Sequence, residues 1–263
     1  MNKPLLELKN ISIKYDDKLV VKDISLTIQE GEILGIVGES GSGKSTLIKS
    51  IIGLLGEGGH IVDGKIIYEG KDITNLNKKE LMEIRGQFIG MIFQDCQSSF
   101  CPIRTIGNQL YDSMKAHMKV TKKEALERGE EILRELNIKH PKKFLNSYPF
   151  ELSGGMNQRA GIMIAMASNP KIILADEPTS ALDVTVQAKV INELMNLRKK
   201  FGTTIIIVSH NMGVISLMSD NALVMKDGEC VEYNLTKKIF NSPSRQYTKE
   251  LINAMPKLKK EII

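Results

Sequence analysis

The run Gly38-Glu39-Ser40-Gly41-Ser42-Gly43-Lys44-Ser45 is where chemistry is most legible in the chain, and it follows the apolar run Ile33–Val37. A buried strand feeding a glycine-rich turn at a helix start is suited to phosphate: the glycines let consecutive N–H groups turn inward, beside the positive end of the helix. Lys44 would reach the β and γ phosphates of a nucleotide and Ser45 would ligand Mg²⁺, with Gly38, Glu39, Ser40, Gly41, Ser42, Gly43 and Thr46 completing the cradle. A plain strand-to-helix turn needs neither the Lys-Ser pair nor the spaced glycines. The second half of such a site is the acidic pair ending Ile172-Ile173-Leu174-Ala175-Asp176-Glu177. Asp176 would stand near the metal and Glu177 would polarise an attacking water. Alone, two carboxylates ahead of Pro178 read equally well as a solvated turn. The phosphate loop is what makes them half of a site.

Short apolar runs alternate with helical patterns along most of the chain, which predicts an α/β protein with a largely parallel sheet. Leu6-Leu8-Ile11-Ile13 and Ile24-Leu26-Ile28 instead alternate with polar residues, the period of half-exposed strands, so an antiparallel β layer is expected ahead of the core. Strand runs disappear from about Gln97 to Ala167, where Thr121-x-x-Glu124 opens a charged amphipathic segment with Leu126, Leu133 and Leu136 on one side. That stretch predicts a helical insertion. Buried strands return at Ile172–Leu174 and Thr204–Val208, separated by a helix striped with Val186, Val190, Leu194 and Leu197.

Composition narrows the classes. With 42% hydrophobic and 25% charged residues, the 263-residue chain is neither disordered nor collagen-like. The uncharged stretch Gly202–Ser219 is broken by Thr203, Thr204, Ser209, His210, Asn211 and Gly213, so no membrane span is expected. Residues 1–10 lack the apolar core of a signal peptide, which makes the cytoplasm the default compartment. Cys96, Cys101 and Cys230 are too few and too scattered for a disulfide framework, and Cys96 with Cys101 reads better as two buried thiols than as half a metal site. Of the net charge of +5, residues 237–263 carry seven Lys or Arg against two Glu, leaving the body balanced. A basic stripe for nucleic acid would sit on the body, whereas this excess lies in a tail that can simply be solvated.

Leu152-Ser153-Gly154-Gly155-Met156, followed by Gln158 and Arg159, resembles the signature motif of ABC-type ATPases, and the resemblance extends over nearly the whole chain. Gln94 resembles the Q-loop glutamine, Ser180-Ala181-Leu182-Asp183 the D-loop and His210 the switch histidine, while Tyr15 sits where the family has its adenine-stacking aromatic. Singly, these residues read as a helix cap, a polar strand end, a turn residue and a packed aromatic. The ordered set decides between the readings. The implied fold is a P-loop NTPase core of the ABC ATPase type with an N-terminal antiparallel β layer and an inserted helical subdomain. Its expected boundaries are residues 1–94 and 168–234 for the core, 95–167 for the helical signature subdomain and 235–263 for a helical basic tail.

The resemblance implies ATP hydrolysis by two cassettes closing head to tail on two ATP molecules, the opening being passed to membrane-spanning partners. Ser153, Gly154 and Gly155 start a helix whose free N–H groups suit the γ-phosphate held by the opposite subunit. Glu177 is implied as general base, His210 as a transition-state clamp and Lys44 as a phosphate clamp. Gln94 would join catalysis to motion at the junction of core and insertion. Ser45, Gln94 and, through water, Asp176 are the implied Mg²⁺ ligands, and Asp183 the contact between the two sites. The motif stretches, with Ile239-Phe240-Asn241-Ser242-Pro243 and Tyr247-Thr248-Lys249, resemble most the importers of peptides and nickel or its chelates. Implied partners are a second cassette, identical or paralogous, two permease subunits and, indirectly, an external solute-binding protein, with the chain peripheral on the cytoplasmic face of the membrane.

Three positions depart from that group: Asn157 where arginine is usual, Cys96 where proline is usual and Asn211 where aspartate is usual. Many of the peptide importers continue into a cysteine-containing tail that binds an iron–sulfur cluster; no cysteine follows Cys230 here, and no cluster is expected. DNA-associated relatives carry long coiled coils or zinc modules between phosphate loop and signature. Here Lys44 and Ser153 are only 109 residues apart without sustained heptads, so no nucleic-acid partner is expected. A non-transport ABC ATPase acting in assembly shares every catalytic motif and differs only in the importer-like segments.

Overall fold

The computed structural model describes residues 3–255 apart from Ala181, so the expected D-loop is described without Ala181 and the expected tail only as far as Met255. In chain order, β1 (Leu6–Tyr15), β2 (Lys18–Ile28), β3 (Ile33–Val37), α1 (Lys44–Ile51), β4 (Gly59–Tyr68), β5 (Lys71–Asp72), α2 (Lys78–Ile84) and β6 (Ile89–Ile92) form the first part. Then come α3 (Cys96–Ser99), α4 (Ile106–His117), α5 (Lys122–Glu135), α6 (Pro141–Asn146), a short 3₁₀ turn at Pro149–Glu151 and α7 (Gly154–Met166). The chain returns through β7 (Ile172–Asp176), α8 (Val184–Phe201), β8 (Thr204–Ser209), α9 (Met212–Met218), β9 (Asn221–Lys226), β10 (Glu229–Leu235), α10 (Thr236–Asn241) and α11 (Gln246–Asn253).

Six strands in the order β10-β9-β3-β8-β7-β6 make the central sheet, parallel except for the antiparallel edge strand β10. Both faces are covered, so alternate residues enter different cores. Ile33, Val37, Ile173, Ala175, Ile205 and Ile207 face the helices α7, α8 and α9. Leu34, Ile36, Ile172, Leu174, Ile206 and Val208 face α1 and the second sheet. That double burial is why these strands read as unbroken apolar runs. The second sheet is antiparallel, in the order β2-β1-β4-β5, so the layer expected from the first two strands is completed by strands that follow the phosphate loop.

The stretch between β6 and β7 is wholly helical among the described elements. The Thr121 hydroxyl and the Glu124 side chain exchange hydrogen bonds with each other's backbone at the start of α5, the box that the sequence predicts. Leu133 and Leu136 are buried with Leu110, Phe144 and Met163, so α4, α5 and α6 pack together and rest on α7. No described helix is long and apolar enough to cross a membrane.

The described part of the segment after β10 keeps its Lys and Arg side chains, Lys237, Lys238, Arg245 and Lys249, exposed but packs on the body through other residues. Ile239 and Thr248 are fully buried and Tyr247 is 8% exposed. The expectation of two buried thiols also needs correcting: Cys96 is buried but Cys101 is exposed, because it lies in the turn before α4.

α7 is fixed to α8 by a two-pronged ion pair. Arg159 Nε and Nη2 each donate 2.9 Å bonds to the Glu193 carboxylate, whose side chain is 4% exposed. Removing one partner would strand a buried charge, at a cost of about 3–5 kcal/mol. Glu193→Ala is therefore expected to lower the unfolding free energy by about 3 kcal/mol in chemical denaturation, with Glu193→Gln intermediate because it keeps one acceptor. An unchanged denaturation midpoint for Glu193→Ala would contradict this anchoring role.

Candidate active site

The site lies at the carboxyl ends of β3, β7 and β8, where a loop and a helix start leave the sheet. β3 is buried at every residue and runs into the phosphate loop, which closes on α1 at Gly43. Two glycines there are required. A Cβ on Gly38 would collide with the Met225 carbonyl, and Gly43 has φ +93° with space for a Cβ only 2.8 Å from the Val20 carbonyl. At these two points the loop is pressed against the backbone of β9 and β2. A cavity of about 310 Å³ runs over it, walled by Ser40 through Thr46 except Ser42, by Gln94 and Glu177 opposite, and by Val20.

Lys44 is 4% exposed, and its ammonium donates to the carbonyls of Gly38 (2.9 Å) and Glu39 (2.6 Å) and to the Ser42 hydroxyl (3.3 Å). Burial holds its pKa below the usual lysine value, against the opposing pull of Glu177, Asp176 and Glu39. The cation thus rests on loop carbonyls beside the cavity, where a phosphate would compete for it. Ser45 donates a 2.6 Å bond to Asp176 Oδ1, and Lys49 makes a 3.2 Å ion pair with Oδ2 of the same buried carboxylate. Lys49 sits one turn after Ser45 on the same face of α1, a spacing legible in the sequence but not used there.

Glu177 follows β7 with φ +46°, a left-handed backbone unusual for a residue with a side chain, and its N–H donates to the Val208 carbonyl at 3.0 Å. That turn aims its carboxylate back over the cavity. Gln94 Nε2 donates to Glu177 Oε2 at 3.4 Å, and His210 Nδ1 lies 3.2 Å from the same oxygen. Gln94, Glu177 and His210, drawn from separate segments, thus meet beside the Ser45–Asp176 pair. As a metal site the set fits a hard cation, because a hydroxyl, a carboxylate and an amide supply oxygen donors.

Ser153, Gly154 and Gly155 are not brought to this cavity. Ser153 caps the 13-residue α7 by accepting the Met156 N–H, Ser153 and Gly154 are exposed, and a Cβ on Gly154 would meet nothing within 4 Å. The helix start is open to solvent at Ser153 and Gly154. Asp183 is likewise outside the cavity, and its carboxylate caps α8 through the Val186 N–H at 3.0 Å. Tyr15 does not line the cavity either. It ends β1, donates its hydroxyl to the Leu55 carbonyl and packs its ring near Gly59. Val20 takes the apolar wall instead, a residue that sequence reasoning missed because nothing separates it from any other strand valine.

The three departures have local roles. Asn157 is 1% exposed and donates to the carbonyls of Pro149 and Leu152, tethering the turn before α7. Asn211 caps α9 by accepting the Gly213 N–H, as an aspartate would. Cys96 buries its thiol against the Phe93 carbonyl and the face of Gly161, and burial pushes its pKa up to about 12.

Residues 21–180 match the family model described as ABC transporter. The chain is 41% identical to the oligopeptide transport ATP-binding protein AmiE of Streptococcus pneumoniae, over 97% of this chain and 73% of that one. It is 40% identical to the oligopeptide transport ATP-binding protein OppD of Bacillus subtilis, over 97% and 72%. Among solved structures, CbiO1 of Clostridium perfringens, part of an ABC transporter complex, superposes with a TM-score of 0.80 at 27% identity, over 92% of both chains. A dimeric ATP-binding cassette in a post-hydrolysis state with ADP and Pi superposes with a TM-score of 0.75 at 31% identity, over 88% of this chain and 98% of that one. Phosphate loop, buried carboxylate and capped glycine helix start therefore have one explanation: the chain belongs to the ABC transporter family, as an ATP-binding, ATP-hydrolysing cassette.

Proposed function

We propose that this cassette powers peptide uptake through a membrane complex, working in a pair that encloses two ATP molecules. The observation that carries the catalytic reading is the meeting of Gln94 and His210 on the one Glu177 oxygen above the phosphate loop. The relatives named for oligopeptide transport, and a dipeptide transport protein of Lactococcus lactis at 37% identity over 96% of this chain, support peptides as the solute. The dimeric cassette structures support the pairing. Two permease subunits and an external binding protein complete the proposal, with the cassette peripheral on the cytoplasmic side.

In this mechanism the backbone N–H groups from Ser40 to Thr46 and the Lys44 ammonium hold the β and γ phosphates, for which Lys44 exchanges its carbonyl partners. Ser45, Gln94 and, through water, Asp176 would hold Mg²⁺, which when bound neutralises phosphate oxygens. Glu177 takes the proton of the attacking water, while His210, 60% exposed at the cavity mouth, orients the carboxylate and the γ-phosphate. The Ser153–Gly155 helix start of the opposite cassette closes on the γ-phosphate, with Asp183 at the contact between the two sites. Hydrolysis removes the bridge, and the helical segment moves with Gln94. No iron–sulfur cluster enters the proposal.

Glu177→Gln is expected to retain ATP and accumulate closed pairs, with turnover reduced about 10²–10⁴-fold in a phosphate-release assay. Unchanged turnover would remove Glu177 from its role. Ser153→Asp preserves the helix cap but places a negative charge against the partner's γ-phosphate. It is expected to leave nucleotide binding by the single chain intact and to reduce hydrolysis at least tenfold; full activity of this variant, or of a strictly monomeric preparation, would contradict a shared site. Coexpression with permease subunits and purification in detergent tests the transport role, in which the cassette must co-elute and respond to peptide-loaded binding protein.

A further inference from the structure

Tyr247, read above only as part of a tail pattern, reaches the phosphate loop from 208 residues further along the chain: its hydroxyl accepts the Glu39 backbone N–H at 3.2 Å. That N–H belongs to the peptide unit whose carbonyl, Gly38 O, receives the Lys44 ammonium at 2.9 Å. One peptide plane is therefore held at both ends, by Lys44 at its oxygen and by Tyr247 at its nitrogen. The ring is 8% exposed, and the Lys226 ammonium stands 4.6 Å from its centre. Lys226 ends β9, and the turn that follows donates the Gly228 N–H to Ser42 O at 3.2 Å. α11, which carries Tyr247, has no side-chain cap of its own; Glu232 accepts the Ser244 N–H at 3.0 Å and the Ser244 hydroxyl at 2.9 Å just ahead of it.

We propose that Tyr247 is a positioning residue for nucleotide binding: its hydroxyl fixes the Gly38–Glu39 peptide plane, so that α11 sets the phosphate affinity of the loop. With the hydroxyl in place, the Gly38 carbonyl stays turned toward the back of the loop and the forward N–H groups remain aimed into the cavity. Without it, the Glu39 N–H loses its partner, and once Lys44 leaves the Gly38 carbonyl for a phosphate the plane is free to rotate, bringing a carbonyl dipole toward the phosphates. The effect is confined to ligands that carry the phosphates this loop would grip, a readout that a purely structural role would not produce. The proposal rests on reading the cavity as a nucleotide site.

Tyr247→Phe removes the hydroxyl and keeps the ring and its lysine. Calorimetric titration of the whole chain with ADP, AMP and adenosine, before and after the substitution, is the test. ADP binding should weaken roughly three- to tenfold, the worth of one intramolecular hydrogen bond, while AMP and adenosine change by less than about twofold. In hydrolysis by the assembled pair, KM for ATP should rise by the same factor, with kcat nearly unchanged. Equal ADP affinity in the two proteins, or an equal loss for ADP and adenosine accompanied by a lower melting temperature, would overturn the proposal. Failure of the unsubstituted chain to bind ADP would overturn the nucleotide reading itself, and this proposal with it.

Discussion

The hydrogen bond from Ser45 to the buried Asp176 carboxylate is the point on which the rest of the site depends. It joins the first turn of α1 to the end of β7, two elements distant in sequence and brought together by the sheet. Because β3 lies between β9 and β8, and β7 lies on the far side of β8, the loops leaving β3, β7 and β8 emerge side by side. The crevice beyond the carboxyl ends of parallel strands is the one place where several loops converge without any strand being exposed. Lys49 supplies the opposite charge that lets Asp176 stay buried, and together with Ser45 it holds the carboxylate in one orientation.

What was legible in the sequence was what local physics determines. β3, β7 and β8 declare themselves as unbroken apolar runs because the sheet is buried on both faces, and the box at the start of α5 is a local signal from Thr121 to Glu124. The phosphate loop and the acidic pair carry their chemistry in their residue types. β4 was not legible: Ile66 and Tyr68 are its only buried residues, and His60, Asp63 and Lys65 give it the composition of a loop. Long-range partners were also hidden, since nothing in either local pattern pairs Arg159 with Glu193 or Lys49 with Asp176. The charges after β10 are solvated as their count suggests, at Lys237, Lys238, Arg245 and Lys249, but that count says nothing about Ile239, Tyr247 and Thr248, which face inward.

The two helix starts assigned to phosphate in the proposed mechanism, those of α1 and α7, have different surroundings. At α1 the loop lines a cavity and has a lysine within reach; at α7 Ser153 and Gly154 are exposed and Gly155 lies against Val186. The Arg159–Glu193 fork and the Asn157 tether hold that second helix start in a fixed direction. In the proposed pair, rigid presentation of this kind would reduce the entropy lost when the partner's nucleotide docks.

The left-handed backbone at Glu177 has a thermodynamic meaning of its own. A side chain held at φ +46° is strained by about 1–2 kcal/mol relative to an ordinary conformation. Glycine would relieve that strain at once, yet it would remove the carboxylate. At this position, folding stability and the role proposed for Glu177 pull on the choice of amino acid in opposite directions, and the residue found there is the less comfortable of the two.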